Sequence, residues 1–269
     1  MIDFSRIKKN RRVFINFLLP FYNVYHFFSS ILIFIKGNIR FLKTKQDYKR
    51  HNVKGSFRYR YIYQTKCIGD WYEAAGSTNS YFWQDLWAAK LIHDNNPAVH
   101  YDIGSRIDGF IAHLASFRDN VILIDIRAME SNIPGVSFTQ ADATNLEGIE
   151  DESVDSISAL CSLEHFGLGR YGDPIDPDAS SKAMHSIVRV LKKGGHAYIA
   201  VPIGKERLEF NAHRVFYAST VVREFAPLKL VEYSVINSDG IEKDVPIHKY
   251  DDDLYNRNGR FGLFHFVNE

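Results

Sequence analysis

From residue 98 onward, short β-branched and aromatic runs alternate with stretches whose apolar positions recur every three to four residues. That rhythm is the mark of βαβ units and a parallel sheet. It predicts strands near 99–103, 121–125, 136–139, 154–160, 196–201, 229–237 and 261–267, with helices near 108–118, 179–191 and 219–225. Seven strands in this order make one α/β domain, a Rossmann-like, doubly wound, mostly parallel seven-stranded sheet. Upstream, Tyr81 to His93 sets Phe82, Leu86, Ala89 and Ile92 on one helical face, expected to cover the start of the sheet. No internal repeat or low-complexity tract is present.

The first third of the chain has a different pattern. Val13 to Ile35 holds no Asp, Glu, Lys or Arg over 23 residues, long enough in principle to span a hydrocarbon core. Asn16, Pro20, Asn23, His26, Ser29 and Ser30 interrupt the run, and Lys8, Lys9, Arg11, Arg12, Lys36, Arg40, Lys43 and Lys45 flank it on both sides. Basic residues on both flanks set no orientation, so an interfacial or Pro-broken re-entrant anchor fits at least as well as a span. An aromatic-rich helix packed on the catalytic domain or on a second subunit is the alternative. A secretory signal does not fit, because the apolar run is too long and lacks a small-residue cleavage site. Residues 36–66 are basic and aromatic and read as a linker or a helix leading into the domain.

Charge changes the picture further. The net charge is +1, yet residues 1–60 carry 14 Lys and Arg against Asp3 and Asp47, which leaves the remainder at −11. A segment this basic expects an anionic surface. The reading is a helical, membrane-associated appendage over residues 1–60 and an α/β domain over 61–269, with a cytoplasmic location peripheral to the inner face of the cell membrane. Cys67 and Cys161 are too few for a disulfide framework and lie at no metal-ligand spacing. The oligomeric state has no signal.

The first predicted strand runs into Asp102-Ile103-Gly104-Ser105-Arg106-Ile107-Asp108-Gly109. A strand, a Gly-containing turn and a helix bring backbone N–H groups to where an anionic ligand group sits. Asp125 closes the second strand, 21 residues after Gly104, where a carboxylate accepts from both hydroxyls of a ribose. Asp142 follows the third strand, in place to accept from an adenine amino group. Each acid alone reads as a turn or cap residue. Three at the ends of successive strands mark one ligand edge.

With these residues the chain resembles the class I S-adenosylmethionine (SAM)-dependent methyltransferases over about residues 98–235. Ser162-Leu163-Glu164-His165 and Arg189-Val190-Leu191-Lys192-Lys193-Gly194-Gly195 extend the likeness, the latter read as a helix end whose Gly pair supplies a left-handed cap. More narrowly, DIGSRIDGF, IDIR, SLEHFGLGRYGDPIDP and FNAHR resemble a methyltransferase-like family of unknown function, associated with bacterial surface-polysaccharide genes. The resemblance implies SAM as cofactor, with Asp102, Gly104 and Ser105 at its methionine end, Asp125 and Ile126 at the ribose, and Asp142 with Ala143 at the adenine. The loop departs from the superfamily's spacing: Arg106 and Asp108 stand where glycine is expected, and Gly109 comes one residue late.

The acceptor side falls after the fourth and fifth strands. His165 is the expected general base, because imidazole titrates near neutral pH, with His213 and Asp173 as substitutes. Gly167 to Asp178 is a Gly-, Pro- and Asp-rich loop in which Arg170, Tyr171 and Asp176 are placed to bind a polar acceptor, completed by Asn211 and Arg214. Asp173, Asp176 and Asp178 cluster, but Asp178 reads as a helix cap and no metal site is expected. The expected reaction is O-methylation of a saccharide, lipid-linked saccharide or other hydroxylated acceptor at an anionic membrane surface. A nucleic-acid methyltransferase ranks lower, since no Asn/Asp-Pro-Pro-aromatic element is present and the catalytic domain is acidic. A non-catalytic scaffold is the third reading. A nicotinamide dehydrogenase ranks last, since Gly-x-Gly-x-x-Gly is absent.

Overall fold

The computed structural model describes residues 30–53, 57, 60–68, 78–130, 132–253 and 260–269. The chain divides into two units, Met1–Ser77 and Thr78–Glu269. In the first, helix α1 covers residues 30–51 and a short 3-10 turn covers Tyr61–Tyr63. Arg40 donates to the Ile68 carbonyl (3.0 Å) and Lys45 to Gln64 (3.1 Å), fastening the turn region to the helix. The expected linker is thus helical as far as residue 51. Most of the uncharged run, residues 13–29, lies outside the described residues. No described helix is long and apolar enough to cross a membrane.

The second unit is a three-layer α/β structure. Its strands are β1 (His100–Ile103), β2 (Val121–Asp125), β3 (Val136–Gln140), β4 (Val154–Leu160), β5 (Leu191–Pro202), β6 (Arg207–Glu209), β7 (His213–Val215), β8 (Lys229–Asn237), β9 (Gly240–Glu242) and β10 (Phe261–Val267). Its helices are α2 (Ser80–Asn95), α3 (Gly109–Ala115), α4 (Ala179–Val190) and α5 (Ala218–Glu224). Eight strands form one sheet in the order β3-β2-β1-β4-β5-β10-β8-β9, and β6 pairs with β7 in a separate hairpin. From β3 to β5 every pairing is parallel, whereas β10 runs antiparallel to both neighbours. All seven expected strands are present. The sheet nevertheless has eight, because β9 adds three residues to an edge, too few to show a period of two.

Val121 to Ile124 of β2 are all apolar, as a strand covered on both faces requires. Alternate residues feed two cores: Leu123 packs with Trp87, Ile92, Phe110 and Leu114, while Ile124 packs with Ala183, Met184 and Ile187. Helices α2 and α3 therefore cover one face and α4 the other. Helix α2 starts where the Asn79 side chain accepts from Phe82 N (3.0 Å) and stops at Asn96, in the left-handed conformation.

Two local expectations are corrected. The buried face of α2 keeps Ala89 and Ile92 of the expected stripe but adds Gln84, Asp85, Trp87 and Ala88, while Phe82 is exposed. Polar residues are buried there because that face also borders the cavity described below. Helix α4 ends at Val190 with extended Leu191 behind it, so Gly194 (φ +72°) turns the chain after the helix and does not cap it. The chain runs from β1 outward to β3, then returns to β4 on the other flank of β1. Such a reversal leaves a crevice beyond the carboxyl ends of the strands, the ligand edge of open α/β sheets.

Candidate active site

The carboxyl ends of β1 to β4 open into a cavity of about 890 Å³, within the range of small-molecule pockets. Gly104, Ser105, Asp125, Ile126, Asp142 and Ala143 line it from the first three strand ends. His165 lines it after β4, and Tyr171, Asp173 and Asp176 reach it from the Gly-rich loop. Asp102, Arg170, Asn211, His213 and Arg214 do not line it.

Asp102 is fully buried under the first turn. It accepts from Ser158 Oγ (2.5 Å) and from the Ser105 backbone N–H (3.3 Å), and burial pushes its carboxyl up to about 6 against those hydrogen bonds. Its work is to shape the turn above it. Ser158 in turn contacts His100 Nε2 (2.9 Å), and His100 Nδ1 contacts Ser156 Oγ (2.7 Å), a closed polar network beneath the strand ends. Gly104 has φ +76°, and a Cβ there would stand 2.8 Å from Ser162 Cβ. The glycine is thus required twice, by conformation and by space. Arg106 and Asp108 have no positive φ; they pair with each other at 3.4 Å with both side chains mostly exposed. Side chains are tolerated at these positions because neither needs a left-handed backbone.

At the end of β2, Arg127 folds back onto Asp125: its backbone N–H and Nε donate to Oδ1 (2.8 and 2.9 Å) and its Nη2 to Oδ2 (2.7 Å). Burial raises the Asp125 carboxyl, but the hydrogen bonds from Arg127 outweigh it and hold the group below its ordinary range. Asp142 forms a local turn by accepting from Thr144 N (2.8 Å).

Beyond β4 the chain enters an unusual conformation. Cys161 has φ +53°, and its thiol, pushed well up by burial, donates to Gln84 Oε1 (2.8 Å). A non-glycine residue in this region is the kind of strain found at functional sites. Ser162 Oγ, beside Gly104 on the wall, is buried without a hydrogen-bond partner, as is Oε2 of Glu164. Burial pushes Glu164 up to about 8 and Asp85, on the wall from α2, up to about 6. His165 Nδ1 lies 2.6 Å from the Ala212 carbonyl, which can only accept. Its Nε2 is therefore the ring's lone-pair nitrogen, 3.6 Å from Glu164 Oε1. Burial lowers the His165 pKa, and Arg170 nearby adds to that.

Gly167 (φ +72°) opens the loop over the cavity; a Cβ there would overlap the Asp176 carbonyl. Asp173 accepts from Gly169 N (3.3 Å) and Tyr171 N (3.1 Å), and Asp176 from Asp178 N (2.9 Å) and Lys182 Nζ (2.6 Å), so both acids build the loop. Asp178 occupies the cap position of α4, but its side chain makes no capping hydrogen bond. Arg214 donates to the Phe166 (2.5 Å) and Pro177 (3.0 Å) carbonyls and so pins both ends of this segment. Asn211 has φ +60°, and His213 is in β7 with its ring 6.3 Å from that of His165. Tyr171 meets His165 edge-on at 5.6 Å and has Arg127 (4.8 Å) and Arg170 (5.1 Å) over its ring. Among the described residues no group of three His, Cys, Asp or Glu is set to hold a metal.

Gln84, Asp85, Arg127, Cys161 and Ser162 belong to this site and were not singled out in the sequence. An adjacent amide and acid inside the otherwise apolar stretch Tyr81 to Ala89 was the available signal for Gln84 and Asp85.

The chain matches the family described as "Caenorhabditis protein of unknown function, DUF268" over residues 128–244. No curated protein matches it in sequence. Among solved structures it is similar to the N-methyltransferase NodS from Bradyrhizobium japonicum WM9 in complex with S-adenosyl-L-homocysteine, with TM-score 0.48 and 16% identity over 71% of this chain and 89% of that one. It is also similar to Burkholderia thailandensis 1,6-didemethyltoxoflavin-N1-methyltransferase, with TM-score 0.46 and 19% identity over 69% and 78%. A TehB-like SAM-dependent methyltransferase from Corynebacterium glutamicum gives TM-score 0.44 and 14% identity over 72% and 90%.

Proposed function

We propose that the protein is a SAM-dependent methyltransferase that methylates a hydroxyl oxygen of a saccharide or lipid-linked saccharide. The observation that carries this reading is the convergence on one cavity of the Gly104 turn, the Asp125 and Asp142 strand ends and the unpartnered Ser162 hydroxyl. These residues fit a nucleoside-bearing cofactor: Asp125 and Asp142 are acceptors for ribose and adenine, and Ser162 offers an unused hydroxyl beside the glycine turn. Asp102 supports that turn from below. Bound SAM would supply an electrophilic methyl group.

The chain's residues handle the proton. Hydrogen bonding to Ala212 holds the His165 ring with Nε2 open as an acceptor, and the lowered pKa keeps it neutral at physiological pH. Glu164, with its pKa pushed up to about 8, stays uncharged beside it and does not draw the ring into an imidazolium. His165 Nε2 then takes the proton of the acceptor hydroxyl. The acceptor class comes from the sequence resemblance and is compatible with a loop that presents Tyr171 at the cavity, with Arg170 over its ring.

We also propose that the N-terminal unit meets an anionic membrane surface on the cytoplasmic side. Helix α1 exposes Leu32, Phe34, Ile39 and Leu42 and carries Lys36, Arg40, Lys43, Lys45, Lys49 and Arg50 against Asp47, a combination suited to acidic headgroups. The deciding experiment for the enzymatic reading is calorimetric titration of the purified protein with SAM and S-adenosylhomocysteine. Saturable one-to-one binding is expected; absence of binding would favour the non-catalytic scaffold.

A further inference from the structure

Asp125, the carboxylate that the proposed function gives to the ribose, is held by the chain's own Arg127. Its Oδ1 takes two hydrogen bonds and its Oδ2 one. A carboxylate has about four lone-pair positions, so a single one remains, on Oδ2. A ribose diol has two hydroxyls to place, and Oδ1 cannot receive either while Arg127 is seated.

The two partners differ in freedom. The Asp125 side chain is 6% exposed and stands at a strand end, whereas that of Arg127 is 52% exposed in the following turn. Arg127 also has a second hold, since its Cζ lies 4.8 Å from the Tyr171 ring centroid. A cation over an aromatic face keeps much of its attraction when a hydrogen-bond partner is withdrawn.

We propose that Arg127 is a built-in competitor of the cofactor ribose: the diol displaces its guanidinium from Asp125, and the Tyr171 ring retains the displaced group at the cavity mouth beside His165. Resting on the cofactor assignment above, this makes Arg127 a determinant of cofactor affinity. A guanidinium freed in this way loses its compensating carboxylate as the cofactor enters. The guanidinium at the cavity mouth is then no longer bonded to Asp125 and is available to an acceptor bearing a phosphate or carboxylate.

The test is calorimetric titration of S-adenosylhomocysteine into the wild type, Arg127→Ala, Arg127→Lys and Arg127→Gln, with melting curves to establish folding. Removing the competitor should tighten binding about tenfold in Arg127→Ala. Arg127→Lys, a point charge without the two-pronged fork, should fall between it and the wild type. Arg127→Gln keeps the stem and serves should Arg127→Ala not fold. Binding by Arg127→Ala alone would support the competition in its strongest form. Equal or weaker binding by folded Arg127 variants, with the wild type binding normally, would overturn the competitor while leaving the cofactor assignment intact. No binding by any form would overturn both.

Discussion

Replacing Gly104 by alanine loads two separable costs onto the cofactor turn. The first is conformational: at φ +76° a Cβ raises the backbone energy by roughly 1–2 kcal/mol. The second is steric, because the new methyl would stand 2.8 Å from Ser162 Cβ, and forcing such contacts apart costs typically about 1–3 kcal/mol. The expected total is about 2–5 kcal/mol. In a unit spanning Thr78–Glu269 each kcal/mol lowers the melting midpoint by roughly 2–4 °C, so Gly104→Ala should melt roughly 4–20 °C below the wild type. Ser162→Gly removes the opposing carbon. In a double-mutant cycle of melting midpoints, Gly104→Ala with Ser162→Gly should therefore recover the steric share and retain the conformational one. An unchanged midpoint for Gly104→Ala would refute the reasoning. A strictly additive cycle would refute the steric half of it.

Asp125→Ala removes the ribose acceptors and should weaken S-adenosylhomocysteine binding by about 1–3 kcal/mol in calorimetry; full affinity would move the cofactor elsewhere. His165→Gln should leave that affinity nearly intact and lower turnover by roughly 10²- to 10⁴-fold. Because burial lowers the His165 pKa, wild-type turnover should hold through neutral pH and fall only below the ordinary histidine value of 6.5; a Gln variant with full rate and the same profile would eliminate this base. For Glu164 the folded pKa of about 8 exceeds the ordinary value of 4.5, so between those values the native state binds more protons than the unfolded one. Its stability contribution is complete below about 4.5 and is lost as pH rises through about 8. Glu164→Gln should consequently melt above the wild type at pH 9 but not at pH 5, and matching profiles would contradict the burial argument. Flotation with liposomes should require acidic lipid and weaken with salt; equal flotation of a chain starting at Thr78 would remove α1 from the interaction.

A strand was most legible where an apolar run is bounded by turns, as Val121 to Ile124 is before Asp125. The ends of β1 and β2 and the turn after β3 were legible for the same reason, since the topology dictates which ends share an edge. What a charged side chain does there was not. Arg127 stands two residues from Asp125 in the sequence, but spacing does not say that it folds back onto it. Arg214 reads as an anion ligand by type, yet it is used up on two backbone carbonyls. The face of α2 was misread because hydrophobicity alone ranks Phe82 above Gln84. A buried amide there is stabilised by the Cys161 thiol, more than 70 positions along the chain.

Strand β10 follows every other described strand in sequence yet lies inside the sheet, seated between β5 and β8. Its residues from Phe261 to Val267 pair on both sides, and Phe264 and Phe266 are completely buried. On the ribosome, β1 to β5 can associate as they emerge, but β5 and β8 each keep a bare edge until Phe261 and its successors arrive. Open edges of this kind recruit strands from other chains. A chain interrupted shortly before residue 261 would thus carry a split sheet with two adhesive margins. The crevice-bearing half and the β8–β9 edge become one sheet only once β10 is in place.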